Sequence, residues 1–174
     1  MEVDQSLLCE SAKDVERRLF NRAINCLARR EHSRKELHDK LVVYFDKWLN
    51  DSDVVIDIEV LIESTLARVS SYGYLDDRRF AEMFVRSRTA KGFGPVRIKS
   101  ELERKGVASD IIAGSLTQER SEQIEILVSG ISIKKKWSNI NDYKVRAQIS
   151  RHYAAKGFSF ETIRAAIETV SRTI

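Results

Sequence analysis

The chain has 174 residues, with 30 Lys+Arg against 26 Asp+Glu, 43% hydrophobic residues, seven Gly and one Pro. That length makes one or two small domains, and so little turn chemistry excludes an all-β chain, which needs Gly, Pro or Asn-Gly punctuation every ~8–12 residues. The net charge of +4 is unevenly spread: residues 1–75 carry 11 basic and 14 acidic side chains, residues 76–120 carry 10 and 7, and residues 121–174 carry 9 and 5, so the part after Tyr74 suits a polyanionic partner, nucleic acid or an acidic protein face.

Apolar residues recur at helical spacing almost throughout. After an N-terminal tail over 1–13, Val15, Leu19, Ala23 and Leu27 form an i, i+4 stripe that predicts a helix from Asp14 to about Arg30. Leu37, Leu41, Tyr44, Phe45 and Trp48 predict a second, opened by a capping box in which Ser33 accepts from the backbone and Glu36 reaches back to it. The polar stretch Asn50–Asp53 breaks the pattern, and Val54, Val55 and Ile56 read as a loop that packs down, since three strand-forming residues have no partner. Ile58, Leu61, Ile62, Leu66 and Val69 give a third helix ending near Gly73.

A fourth helix, capped by Asp76 or Asp77, carries Phe80, Ala81, Phe84 and Val85 and stops at Gly92. Pro95 opens a fifth, where its missing N–H costs nothing, and Ile98 and Leu102 run to Gly106, whose following Val107 supplies the hydrophobic contact of a glycine C-cap. Ser109 is expected to cap a short sixth helix through Leu116. Ile124, Leu127, Val128 and Ile131 mark a seventh, Val145, Ile149 and Tyr153 an eighth, and Ile163, Ala166, Ile167 and Val170 a ninth after the cap Ser159.

The chain also repeats itself. Lys91-Gly92-Phe93 recurs as Lys156-Gly157-Phe158, and at the same offset Arg86 matches Arg151, Ala90 matches Ala155, Ile98 matches Ile163, Lys99 matches Arg164, Leu102 matches Ile167 and Glu103 matches Glu168. A fainter copy aligns Ser33 with Gly94 and Ser159, Leu37 with Ile98 and Leu41 with Leu102. A unit of two or three helices cannot bury its apolar stripe alone, so the expected fold is all-α: about nine helices in tandem three-helix, helix-turn-helix-like repeats forming an elongated, curved array. The expected repeats are 14–74, 75–118 and 119–174.

Three stretches carry a family resemblance: Gly73-Tyr74-Leu75-Asp76-Asp77-Arg78-Arg79-Phe80-Ala81, then Lys91-Gly92-Phe93-Gly94-Pro95-Val96-Arg97-Ile98, then Glu101-Leu102-Glu103-Arg104-Lys105-Gly106-Val107. In this order and spacing the sequence resembles the RecX family, regulators of the bacterial RecA recombinase, and His32-Ser33-Arg34-Lys35-Glu36-Leu37 resembles that family's N-terminal repeat. The resemblance covers about residues 15–170 and is faintest over 117–142. It implies an all-α protein that binds the groove of the RecA filament on single-stranded DNA and restrains ATP hydrolysis, strand exchange and coprotease activity, without catalysis of its own. Filament binding, capping and disassembly all remain open as the means.

The expected partner or DNA contacts are Arg86, Arg88, Lys91, Arg97, Lys99, Arg104, Lys105, Lys144, Arg146, Arg151, Lys156 and Arg164. Singly, each reads as a solvated helix face. Charge retained at the equivalent positions Arg86/Arg151, Lys91/Lys156 and Lys99/Arg164 instead suits a strip facing phosphates or carboxylates. Lys134-Lys135-Lys136-Trp137 offers an aromatic that could stack on a base, against the simpler reading of a basic helix end followed by a core Trp. Tyr72, Tyr74 and Phe93 invite a similar stacking reading, but Tyr74 and Leu75 beside a helix end look more like a hydrophobic plug between modules.

No cofactor or metal is expected. Cys9 and Cys26 have no zinc-ligand spacing and cannot form a disulfide framework, and His32, His38 and His152 match no metalloprotease or triad pattern. Asp76-Asp77 reads as a cap rather than a catalytic pair, because adjacent residues point different ways on a helix. Gly92 and Gly94 lack the Lys-Ser/Thr ending of a nucleotide-binding loop. The acidic start has no secretory signal and no window approaches a membrane span, so the expected protein is soluble, cytoplasmic and monomeric. A direct helix-turn-helix-like DNA-binding module without a RecA partner is the alternative, weakened by the modest charge and the acidic first third.

Overall fold

Helix ends, more than strand pairing or turns, organise this chain. The computed structural model describes residues 5–49, 57–117 and 119–173. Over these residues it is all-α: α1 (Gln5–Leu27), α2 (Arg34–Leu49), α3 (Ile58–Ser71), α4 (Asp77–Ala90), α5 (Pro95–Arg104), α6 (Ser109–Ser115), α7 (Arg120–Ser132), α8 (Tyr143–Ala155) and α9 (Phe160–Thr173), with one 3₁₀ turn at Lys135–Trp137. Asn50–Asp53 and Val54–Ile56 lie outside the described residues. The chain divides into two compact units, Met1–Ala81 with Lys105–Val107, and Glu82–Arg104 with Ala108–Ile174.

In the first unit, the stripe Val15, Leu19 and Ala23 of α1 meets Leu37, Leu41 and Phe45 of α2 and Ile62, Leu66 and Val69 of α3, and Leu75 closes the cluster. Helix α1 starts at Gln5, not at Asp14 as the stripe suggested, because no Gly or Pro interrupts the backbone between them. The capping box of α2 is half formed. The Glu36 N–H donates to Ser33 Oγ at 3.1 Å, but the Glu36 carboxylate turns away to accept from Arg30 (3.1 Å) and to pair with Lys105. Two stronger cationic partners outweigh one neutral backbone N–H.

The adjacent carboxylates Asp76 and Asp77 cap two different helices. Asp76 Oδ1 accepts from the N–H groups of Arg78 (2.8 Å) and Arg79 (3.2 Å) at the start of α4. Asp77 Oδ1 accepts from the Arg34 N–H at 2.7 Å, the first residue of α2. Both therefore quench N–H groups that have no partner inside their helices.

His32 is buried, 2% exposed. Its Nδ1–H donates to the Arg30 carbonyl at 2.9 Å, and Nε2 accepts from Lys40 Nζ at 2.9 Å. Burial, then the charges of Arg30 and Lys40, hold its pKa below the ordinary histidine value of 6.5 despite the raising effect of the Arg30 carbonyl. The neutral ring is the native form, so its contribution is complete above pH 6.5 and is lost as pH falls through the lower native pKa. Between pH 6.5 and the lower native pKa, the wild type should therefore lose thermal stability more steeply than the His32→Gln variant. Parallel pH profiles for the two proteins would refute the assignment.

In the second unit, Leu127 and Ile131 of α7 and Ile149 and Tyr153 of α8 cover Ile163, Ala166, Ile167 and Val170 of α9, with Trp137, Ile140 and Phe158 filling between. Trp137 is 3% exposed, so it is a core residue and offers no face to a base. Ser109 does not cap α6 as the sequence suggested. Ala108, extended at φ −66° and ψ 145°, holds the cap position without a side-chain bond, and Ser109 is the first helical residue. Asp110 in the first turn supplies negative charge there instead.

The two Lys-Gly-Phe turns share one geometry. Phe93 N–H reaches the Arg88 carbonyl and Phe158 N–H the Tyr153 carbonyl, both at 3.1 Å, while Gly92 and Gly157 hold left-handed backbone at φ 73° and 89°. The turns also touch. Gly94 N–H donates to the Lys156 carbonyl at 2.8 Å and Val96 N–H to the Gly157 carbonyl at 3.1 Å, so the end of α8 is seated on the start of α5. A Cβ on Gly94 would lie 2.6 Å from Phe158 N, against backbone that cannot yield. Gly94→Ala should cost about 1–3 kcal/mol. Gly114→Ala, where a Cβ meets open space, should be neutral or slightly stabilising. Urea unfolding midpoints compare them, and equal midpoints would refute the close approach.

Candidate polyanion-binding site

The seated turns gather cations that are far apart in sequence. Lys91 and Lys156 occupy the same place in their two turns, and Lys156 Nζ lies 3.3 Å from where a Cβ on Gly92 would stand, next to Lys91. Lys91 is exposed and Lys156 half-buried. From α4 and α5, Arg88 and Arg97 converge on Glu101, whose side chain is only 10% exposed. Arg88 Nε lies 2.8 Å from Glu101 Oε2, and Arg97 Nε donates to Glu101 Oε1 at 3.0 Å.

Phe93 supplies the floor. The Arg97 guanidinium sits 4.5 Å and that of Arg88 5.4 Å from its ring centroid, with Arg88 also 5.0 Å from Phe84. Arg97 Nη1 donates to the Ala155 carbonyl at 3.3 Å, at the end of α8. Four cations and one buried carboxylate thus surround the joined turns, an arrangement suited to an anion with several oxygens.

The other expected contacts are placed differently. Arg86 and Lys144 are exposed. Lys99 and Arg164, equivalent across the repeat, each lean towards an acid one turn on, Glu103 at 3.9 Å and Glu168 at 4.0 Å. Arg104 and Arg151 fold back on the carbonyls of Ser100 (3.4 Å) and Ala147 (3.3 Å). Arg146 is half-buried and ties the Ile140 carbonyl (2.9 Å) to Ser171 Oγ (3.2 Å). Lys105 belongs to the first unit, where it pairs with Glu36 and lies 5.9 Å from the Phe80 ring centroid. These last two positions are structural ties.

Sequence reasoning missed Glu101, which sits one helical turn after Arg97 but whose second partner Arg88 lies on another helix. It also missed a meeting of His38 with Glu59 and Glu63, whose ligand-type atoms lie within 4.8 Å of one another. Burial pulls the His38 pKa down, but hydrogen bonds and charge from Glu59 and Asp39 outweigh it and leave the ring above the ordinary value, while Arg34 pairs with Glu63. Tyr72 and Tyr74 are 56% and 51% exposed and contact edge to face at 6.1 Å, so only Leu75 of the expected plug is buried. No helix among the described residues is long and apolar enough to cross a membrane.

Residues 76–116 match the family model described as the second three-helix domain of RecX. The chain is 33% identical over 159 residues to the regulatory protein RecX of Yersinia enterocolitica, covering 84% of this chain and 94% of that one. It is 32% identical over 145 residues to the regulatory protein RecX of Vibrio parahaemolyticus, covering 83% and 86%. The fold is similar to the crystal structure of RecX from Lactobacillus salivarius, with a TM-score of 0.75 at 24% identity over 92% of this chain and 99% of that one. With two close relatives matched over most of their length, and an all-helical fold shared with a third, the chain belongs to the RecX family of regulatory proteins.

Proposed function

We propose that this protein binds the RecA filament on single-stranded DNA and restrains RecA's ATP hydrolysis, strand exchange and coprotease activity, acting as a cytoplasmic monomer with no catalysis of its own. The observation that carries the reading is the match over 94% of a relative named as a regulatory protein. The cations around the joined turns support it, since a filament on DNA presents phosphates as well as protein. A second reading, a DNA-binding module that needs no RecA, draws on the same cations and on the Lys-Gly-Phe turn between α4 and α5.

Titration into RecA on single-stranded DNA, followed by ATP hydrolysis and by DNA anisotropy without RecA, separates the two. Inhibition at protein levels well below RecA, with weak binding to DNA alone, is the expected result. Tight DNA binding with hydrolysis untouched would replace the filament reading with the DNA-module one. The double variant Lys91→Glu, Lys156→Glu should weaken filament or DNA binding and flatten its salt dependence. Unchanged binding would remove these lysines from the interface.

A further inference from the structure

We propose that Arg88 and Arg97, held by Glu101 on the floor of Phe93, form a receptor for the phosphodiester backbone of single-stranded nucleic acid, with Glu101 as its positioning residue. This rests on the polyanion part of the function proposed above and names the chemistry it recognises. A carboxylate that is 10% exposed carries a desolvation cost, and an apolar residue of similar size would tie α4 to α5 at least as well. What an apolar residue would not do is orient two guanidiniums.

Arg97 Nε donates to Glu101 Oε1 at 3.0 Å and Arg88 Nε lies 2.8 Å from Oε2, so one carboxylate brings two guanidiniums together. Arg97 Nη1 also reaches the Ala155 carbonyl at 3.3 Å. The side chains stay 30% and 45% exposed, and planar guanidiniums lying over an aromatic ring are held in the orientation that suits bidentate contact with phosphate oxygens. Lys91 and Lys156 stand beside the same turns and add charge without geometry. The N–H groups of Gly94 and Val96 at the start of α5 are taken by the carbonyls of Lys156 and Gly157, so the charge for an anion here comes from side chains and not from that helix end.

The test is the binding of a fluorescent oligothymidylate to the full chain over a salt series, with circular-dichroism melting to confirm that each variant is folded. Glu101→Gln is the decisive variant, because it raises the net charge by one. Simple attraction makes it bind more tightly, whereas loss of a positioning carboxylate makes it bind several-fold more weakly. Arg97→Lys should keep the salt slope and lose about tenfold in affinity. The double variant Arg88→Gln, Arg97→Gln should reduce the slope by about 1.4, twice the single-strand increment of ~0.7 per phosphate contact.

Arg172→Gln, a cation removed from the exposed end of α9, should leave slope and affinity near wild type. Tighter binding by Glu101→Gln, a slope change equal to that of Arg172→Gln, or no binding of oligothymidylate by the wild type at low salt would each overturn the receptor. RecA ATP hydrolysis is read with the same proteins. Inhibition by a wild type whose Glu101→Gln variant binds DNA more tightly sinks the receptor and leaves the filament reading standing. Expected DNA results without any inhibition do the reverse.

Discussion

The seating of one helix end on another governs the second unit. The last carbonyls of α8 and the first N–H groups of α5 are groups their own helices cannot satisfy, and here each set satisfies the other. The negative end of one helix dipole meets the positive end of another, so the contact is favoured electrostatically as well as by hydrogen bonding. It requires backbones to approach without side chains between them, which explains glycine at both 94 and 157. That approach brings Lys156 beside the turn that carries Lys91 and the Ala155 carbonyl within reach of Arg97.

The positive residues of the chain consequently serve two purposes. Arg146 and Lys105 are consumed by internal carbonyls and acids, and they hold loops and helix ends in register. Arg88 and Arg97 share one buried acid and keep an exposed edge, while Lys91, Arg86 and Lys144 stand in solvent. Net charge says nothing about this division. Reach does: Arg146 spans the Ile140 carbonyl and Ser171 with two of its nitrogens, Lys105 meets Glu36, and Arg88 and Arg97 share Glu101.

Much of the fold could be read from the sequence because its signals are local. The stripe Val15, Leu19, Ala23 lies inside α1 and Pro95 opens α5 as its fixed φ allows. Ser159 caps α9 by accepting from the Thr162 N–H at 3.1 Å. What escaped depends on partners far away along the chain. Glu36 looked like the second half of a box and is instead drawn to Lys105, whose distance in sequence no local pattern can show. Asp77 looked like a cap for its own helix and caps α2. The site was half legible for the same reason: repeated charge picked out Lys91 and Lys156, whereas the acid that organises Arg88 and Arg97 has no counterpart in the other copy to draw attention to it.

The joined turns also show what has become of the internal duplication. In one copy the residue opening the second helix is Ser159, whose hydroxyl accepts the Thr162 N–H. In the other it is Gly94, where there is no room for a hydroxyl and the helix start is capped by the end of α8. The two copies have therefore become donor and acceptor of one contact. They are complementary parts now, with a fixed order along the chain, and exchanging them would leave a serine jammed in the junction and a glycine without the hydroxyl that caps α9.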